Sequence, residues 1–146
     1  MRKEKTFKEL AKDEPGTIYH DEMDEGIRFI VMRGPASLCA YAGIPLNHPL
    51  AGMEYDDLPI DAHGGLTFSE KGGGKWPKNY WWYGWDYAHL GDRAFYDLDR
   101  VNPFDRDEKE WTVKEVVDDS WSALYDIKKL MKLTEAIYNK IKKEAP

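Results

Sequence analysis

"WWYGWDYAHLGD", residues 81–92, is the stretch on which the fold turns. Side chains alternate across a strand, so Trp81, Tyr83, Trp85 and Tyr87 share one face while Trp82, Gly84, Asp86 and Ala88 share the other. The first face is core material. The second interrupts the aromatics with a glycine and a carboxylate, which are poor strand formers and need a reason of their own. His89 and Asp92 follow where the strand, read over 80–89, runs into a loop.

The segment upstream repeats the theme. "IDAHGGLTFSE" (60–70) reads as a strand antiparallel to the first, with Ile60, Ala62, Gly64, Leu66 and Phe68 on one side. Asp61, His63, Gly65, Thr67 and Ser69 occupy the other side. Pairing the two strands lays Asp61, His63, Thr67, Trp82 and Asp86 along one shallow surface floored by glycines. A solvated sheet face is the ordinary explanation of such alternation. The small or acidic interruptions in both strands favour a site.

Outward from this pair, "GIRFIVMRG" (26–34) and "SLCAYAGI" (37–44) read as two more strands joined at Gly34-Pro35-Ala36. Residues 1–16 carry a short helical pattern with Phe7, Leu10 and Ala11 on one side, closed by Pro15-Gly16. Segment 45–59 is broken by prolines, 71–79 is a Gly-rich connection, and 90–110 is rich in turn residues. "TVKE" (112–115) is a capping box that opens a helix over 112–143. Its apolar positions Val113, Val116, Val117, Trp121, Leu124, Ile127, Leu130 and Ile137 recur at helical spacing, as one helix or two closely joined ones. The expected fold is α+β: one domain over 1–146, with a small antiparallel sheet of about four strands (within 26–92) covered by a long C-terminal helix. Trp85, Tyr83 and Trp121 are expected in its core.

Composition narrows the function classes. A hydrophobic content of 42% with 14% aromatics excludes disorder, and no apolar run approaches the roughly 20 residues of a membrane span. The charged start "MRKEKTFKELAKDE" lacks the apolar stretch of a secretion signal, and a single cysteine, Cys39, offers no internal disulfide. These features suggest the cytoplasm. A net charge of -6 argues against duplex nucleic acid, and the one lysine-rich stretch, "IKKLMKLTEAIYNKIKK", reads as a solvated helix face rather than a polyanion patch.

"SLCAYAGIPLNHPLAGMEYDDL", "DAHGGLTFSE" and "WWYGWDYAHLGD" together resemble a family of small, uncharacterised proteins encoded by phages and prophages. That family carries Cys-Gly-Tyr-Val, Gly-His-Pro, Val-His-Gly-Gly-Leu-Thr and Gly-Phe-Asp-x-Ala-His-x-Gly-Asp blocks in the same order. The resemblance spans about residues 37–92, with an echo at "EWTVKEVVDD". It implies a phage origin, with action in the host cytoplasm during infection, and points to His48, Asp61, His63, Gly64, Gly65, Thr67, Gly84, Asp86, His89, Gly91 and Asp92. Asn47, Ala40 and Tyr87 depart from its pattern. It implies no established activity.

Two chemistries suit these residues. The first is capture of a small nucleotide-like ligand, such as a host immune signalling nucleotide sequestered as an anti-defence measure. Trp76 and Trp82, with Tyr80 nearby, offer stacking surfaces worth roughly 1–3 kcal/mol per base. Asp61 or Asp86 would accept from a ribose hydroxyl or base edge, and His63 and His89 would donate to phosphate or ribose oxygens. The second is hydrolysis of a nucleotide or phosphodiester. Asp61, His63, Asp86, His89 and Asp92 could hold a divalent metal ion that activates water, or His63, His89 and Asp61 could act as acid and base without one. Cys39, in an apolar strand, is a packing residue rather than a nucleophile. A third reading is an interaction module in which the long helix mediates homo-oligomer or host-protein contacts. No H-E-x-x-H, P-loop or G-x-S-x-G motif occurs.

Overall fold

The computed structural model describes residues 3–74, 76–97 and 108–145. Its sheet has five antiparallel strands, β1 (Ile18–Asp24), β2 (Ile27–Arg33), β3 (Leu38–Pro45), β4 (Phe68–Lys71) and β5 (Tyr80–Asp86), in the spatial order β1-β2-β3-β5-β4. Helices α1 (Phe7–Ala11), α2 (Val113–Asp119) and α3 (Trp121–Glu144) complete the α+β arrangement. Of the turn-rich passage 90–110, residues 98–107 lie outside the described residues.

β1 is the strand that hydrophobic patterning does not reveal. "IYHDEMD" has no clean alternation, and it forms because Glu25 and Gly26 both take positive φ (49° and 86°), the tight hairpin turn that suits twisted strands. Its charged residues suit an edge position, where they discourage pairing with another sheet. β2 and β3 are central and almost wholly buried. Thr112 and Glu115 form the expected capping box, and Thr6 with Glu9 caps α1 in the same way. α2 and α3 are separated only by Ser120, which serves as C-cap of one and N-cap of the other.

One face of the sheet builds the main core. Ile27, Phe29, Val31, Ala40, Ala42, Ile44, Tyr83 and Trp85 meet Phe7 and Leu10 of α1, Val116 of α2 and Leu124 and Ile127 of α3. Trp81 packs against this cluster from a partly buried position, so the inward parity of 81, 83, 85 and 87 holds. Trp121 does not join it. At 45% exposed it sits on the outer side of α3, because Ala123, Leu124 and Ile127 take the inner side of the first turns.

The opposite face carries a second, smaller aromatic layer. Trp82 is 1% exposed and tilts against Trp76 and Tyr80, each 5.3 Å away, while Tyr41 meets Trp76 at 4.4 Å and Phe68 at 5.8 Å. The glycines among these aromatics make room for rings lying on the sheet. A Cβ on Gly43 would stand 2.8 Å from the Trp82 ring, and one on Gly84 would stand 2.7 Å from the Tyr41 ring. Gly84→Val is therefore expected to destabilise the protein by about 1–3 kcal/mol through overpacking, measurable as a lowered midpoint of urea unfolding with unchanged slope.

The expected strand over 60–70 is largely absent. Only Phe68–Lys71 is strand, and residues 60–67 run as irregular chain through a turn closed by the Gly65 N–H donating to the Ala62 carbonyl at 2.8 Å. Gly64 and Gly65 hold φ of 68° and 84°, a left-handed conformation that ends any extended run. The alternation read across Asp61, His63, Gly65 and Thr67 thus has no strand to rest on. β5 likewise stops at Asp86 rather than continuing to His89.

Candidate functional site

Histidines and carboxylates gather at the C-terminal end of β5, not along a sheet face. Beyond Asp86 the chain curls back on itself: the Ala88 N–H donates to Asp86 Oδ1 at 3.2 Å, and the Asp92 N–H to the His89 carbonyl at 2.8 Å. This short-range turn chemistry, with Gly91 at φ 93°, brings Asp92 under His89. The irregular 60–67 segment, tied to β5 through the Thr67 N–H and the Gly84 carbonyl (2.9 Å), delivers His63 to the same place.

Asp92 is the hub. Its side chain is 5% exposed, and its Oδ2 contacts His63 Nε2 at 2.6 Å and accepts from the His89 N–H at 3.0 Å. Its Oδ1 accepts from the Trp111 indole at 2.8 Å. Burial pushes the carboxyl pKa up, but the bonds from His63, the His89 N–H and Trp111, with the His63 charge, outweigh it and hold the group below its usual 3.8. With Asp92 ionised, Nε2 of His63 carries the proton of their bond. The His63 ring stacks on Tyr87 (4.6 Å between centroids, 9° between planes) and meets the Trp111 ring at 5.0 Å. Its side chain is 24% exposed.

His89 and Asp86 form a second pair beside the first. The two imidazoles are 5.6 Å apart, and His89 Nε2 lies 3.3 Å from Asp86 Oδ1. That contact lacks hydrogen-bond alignment: Nε2 is buried and has no hydrogen-bond partner among the described residues. Gly64 is the reason the imidazole fits: a Cβ there would lie 2.1 Å from Nε2. Asp86 Oδ2 reaches the exposed Thr67 hydroxyl in a long 3.5 Å contact. On the same face, Asp86 stands in register with Cys39 and two residues from Gly84, the partner of Tyr41. The Tyr41 phenol is raised above its usual value by burial, by Cys39 and by the Asp86 charge, and the Cys39 thiol is pushed up to about 11 by burial and Asp86. A buried thiol with its pKa raised is a packing group at neutral pH, as its apolar strand suggested.

His63, Gly64, Thr67, Asp86, His89 and Asp92 thus meet. The other residues read from the sequence do not. Asp61 is exposed, and its backbone N–H donates to Asp126 of α3 at 2.8 Å. His48 is structural: Nδ1 accepts from the Leu50 N–H at 3.0 Å and Nε2 contacts Glu135 of α3 at 3.1 Å. Gly65 supplies a left-handed turn. Trp82 is sealed under its neighbours and offers no stacking face, and Gly84 makes room for Tyr41 rather than for a ligand. Of the rings named for stacking, Trp76 and Tyr80 are partly buried and keep an accessible edge.

The five-residue metal set of Asp61, His63, Asp86, His89 and Asp92 does not assemble. Among the described residues no group of three or more His, Cys, Asp or Glu side chains is arranged to hold a metal ion. His63 already faces Asp92 and His89 faces Asp86. Trp111, Tyr41 and Tyr87 complete the site without having been chosen from the sequence. Trp111 stands one residue before the capping box, but nothing local says that its indole reaches Asp92. A hollow of about 500 Å³ lies elsewhere, between the N-terminal segment, β1 and α2, and none of the residues named above as candidates lines it. No helix among the described residues is long and apolar enough to cross a membrane. No protein-family model matches the chain, and no curated protein and no solved structure matches it either.

Proposed function

We propose that the protein captures a small nucleotide-like ligand at the end of β5, recognising mainly its nucleoside part. One observation carries the reading: the Asp86 carboxylate, 32% exposed, lies beside the Thr67 hydroxyl and His89 on a face whose adjoining rings, Tyr41 and Trp76, are partly exposed. A carboxylate is the acceptor a ribose hydroxyl pair seeks, and flat rings beside it suit a base. Asp86 and Asp92 place two negative charges at this end, which favours the uncharged sugar and base over phosphate as the recognised portion. The likeness to phage-encoded proteins adds a use for such capture, the removal of a host signalling nucleotide.

Titration calorimetry with nucleosides and their 5′-monophosphates tests this. Asp86→Asn is expected to weaken nucleoside binding roughly 10- to 100-fold, since a charge-assisted hydrogen bond contributes about 1.5–3 kcal/mol. His89→Ala should weaken it as well, while Asp61→Ala should leave it unchanged. Absence of binding by any nucleoside or nucleotide, or equal binding by Asp86→Asn, would overturn the reading.

A second reading, cleavage of the same ligand by acid–base catalysis without a metal, rests on the two imidazoles 5.6 Å apart, each beside a carboxylate. Recovery of the ligand intact after long incubation separates capture from cleavage.

A further inference from the structure

We infer that the hollow between the N-terminal segment, β1 and α2 binds a small amphiphilic anion, an apolar body carrying one carboxylate or phosphate. At about 500 Å³ it has the size of a small-molecule site. It opens because α2 packs chiefly against β2 and β3, which leaves the edge strand β1 standing clear of it. His20 of β1 continues the inner face of the sheet, opposite Val31 and with its ring 5.5 Å from that of Phe29. Tyr19, Val113 and Val117 pack against the core from partly buried positions, so an apolar floor is held in place by the fold itself. The N-terminal segment forms the remaining wall. Glu4 Oε1 accepts from the Lys114 N–H at 2.6 Å, and the Lys5 ammonium stands 5.8 Å from the centre of the Tyr19 ring.

Charge and floor together select the ligand. Lys3, Lys5 and Lys114 line the hollow against a single carboxylate, Glu4, in a chain whose net charge is -6. Glu4 is itself engaged by the backbone N–H of Lys114. The other carboxylates nearby stand behind the lining: Asp13 beside Lys5, Asp118 beside Lys114 and Glu22 beside His20. These pairs exchange readily. Lys114 and Asp118 are 75% and 59% exposed at 3.2 Å, a surface pair of little energy. Asp13 keeps the Tyr19 hydroxyl, which donates to it at 2.7 Å, when Lys5 turns toward a ligand. A cationic ligand would meet three ammonium groups, and a neutral one would leave them unused. An anionic head at the lysines, with its apolar body on Tyr19, Val113 and Val117, uses both. The site is remote from the end of β5 and independent of nucleoside capture there.

Titration of the full chain with octanoate and with octyl phosphate, followed by the nuclear magnetic resonance signals of the Val113 and Val117 methyls and the Tyr19 ring, tests the site. At least one of the two is expected to shift these signals and to saturate in the low-millimolar range or tighter, and the tighter one names the head group. Octylammonium, the same apolar body with the opposite charge, should bind at least about 10-fold more weakly. Lys3 and Lys114 are both exposed, so the double variant Lys3→Glu/Lys114→Glu should keep its thermal midpoint. It should weaken binding of the anion about 10-fold, and by less at high salt. Four results overturn the inference: no saturation by either anion, equal binding of octylammonium, shifts confined to residues outside the hollow, or unchanged affinity in the double variant.

Discussion

Trp85→Ala is expected to lower the unfolding free energy by about 3–5 kcal/mol, the cost of truncating a large aromatic in a core that cannot collapse around the gap. Trp85 is 1% exposed near the C-terminal end of β5, stacks toward Phe29 with centroids 6.5 Å apart, and is paired across the ladder with Ala40. Its indole N–H donates to the Tyr87 hydroxyl at 3.2 Å, and that hydroxyl in turn donates to Asp119 at 2.8 Å. Removal of Trp85 thus opens a cavity and loosens a polar link between β5 and the end of α2. Urea denaturation followed by far-ultraviolet circular dichroism reads the loss directly. A loss below 1 kcal/mol would mean that β5 is not the central support it is described as.

Asp92→Ala is expected to cost about 3 kcal/mol and to dismantle the site, because three donors lose one acceptor. The Trp111 indole and the His89 N–H would be left unsatisfied, and His63 would lose the carboxylate that orients it. Each donor stranded away from water costs about 1–3 kcal/mol, moderated here by partial solvent access at His63. The carboxylate also gives stability a pH signature. Its folded pKa lies below the unfolded value of 3.8, so its contribution is complete above that value and is lost as pH falls through the lower, folded one. The acid side of a plot of thermal midpoint against pH should flatten in Asp92→Asn relative to wild type. Equal acid slopes in the two proteins would remove Asp92 from its place as hub.

Both predictions concern residues whose roles were unequally legible. Trp85 could be placed from alternation in 81–87 alone, since a strand with one aromatic face must bury it. Asp92 could be marked as unusual, but its partners His63, 29 residues back, and Trp111, 19 residues on, carry no mutual signal in the chain. His48 shows the converse. It stands among the residues marked as ligand-binding candidates, yet its ring ties a loop to α3.

What the amino-acid sequence determined by itself is whatever physics acts over a few residues. The capping boxes at Thr6 and Thr112, the Glu25-Gly26 turn and the inward parity of β5 depend on contacts between near neighbours or on a fixed period. Only the tertiary structure decided that Gly84 lies under Tyr41, that residues 60–67 leave the sheet, and that α3 outruns its cover after Met131. These depend on which strand lies beside which and on where the sheet ends. Residues tens of positions apart are brought together there by burial of the core as a whole, which no local pattern encodes.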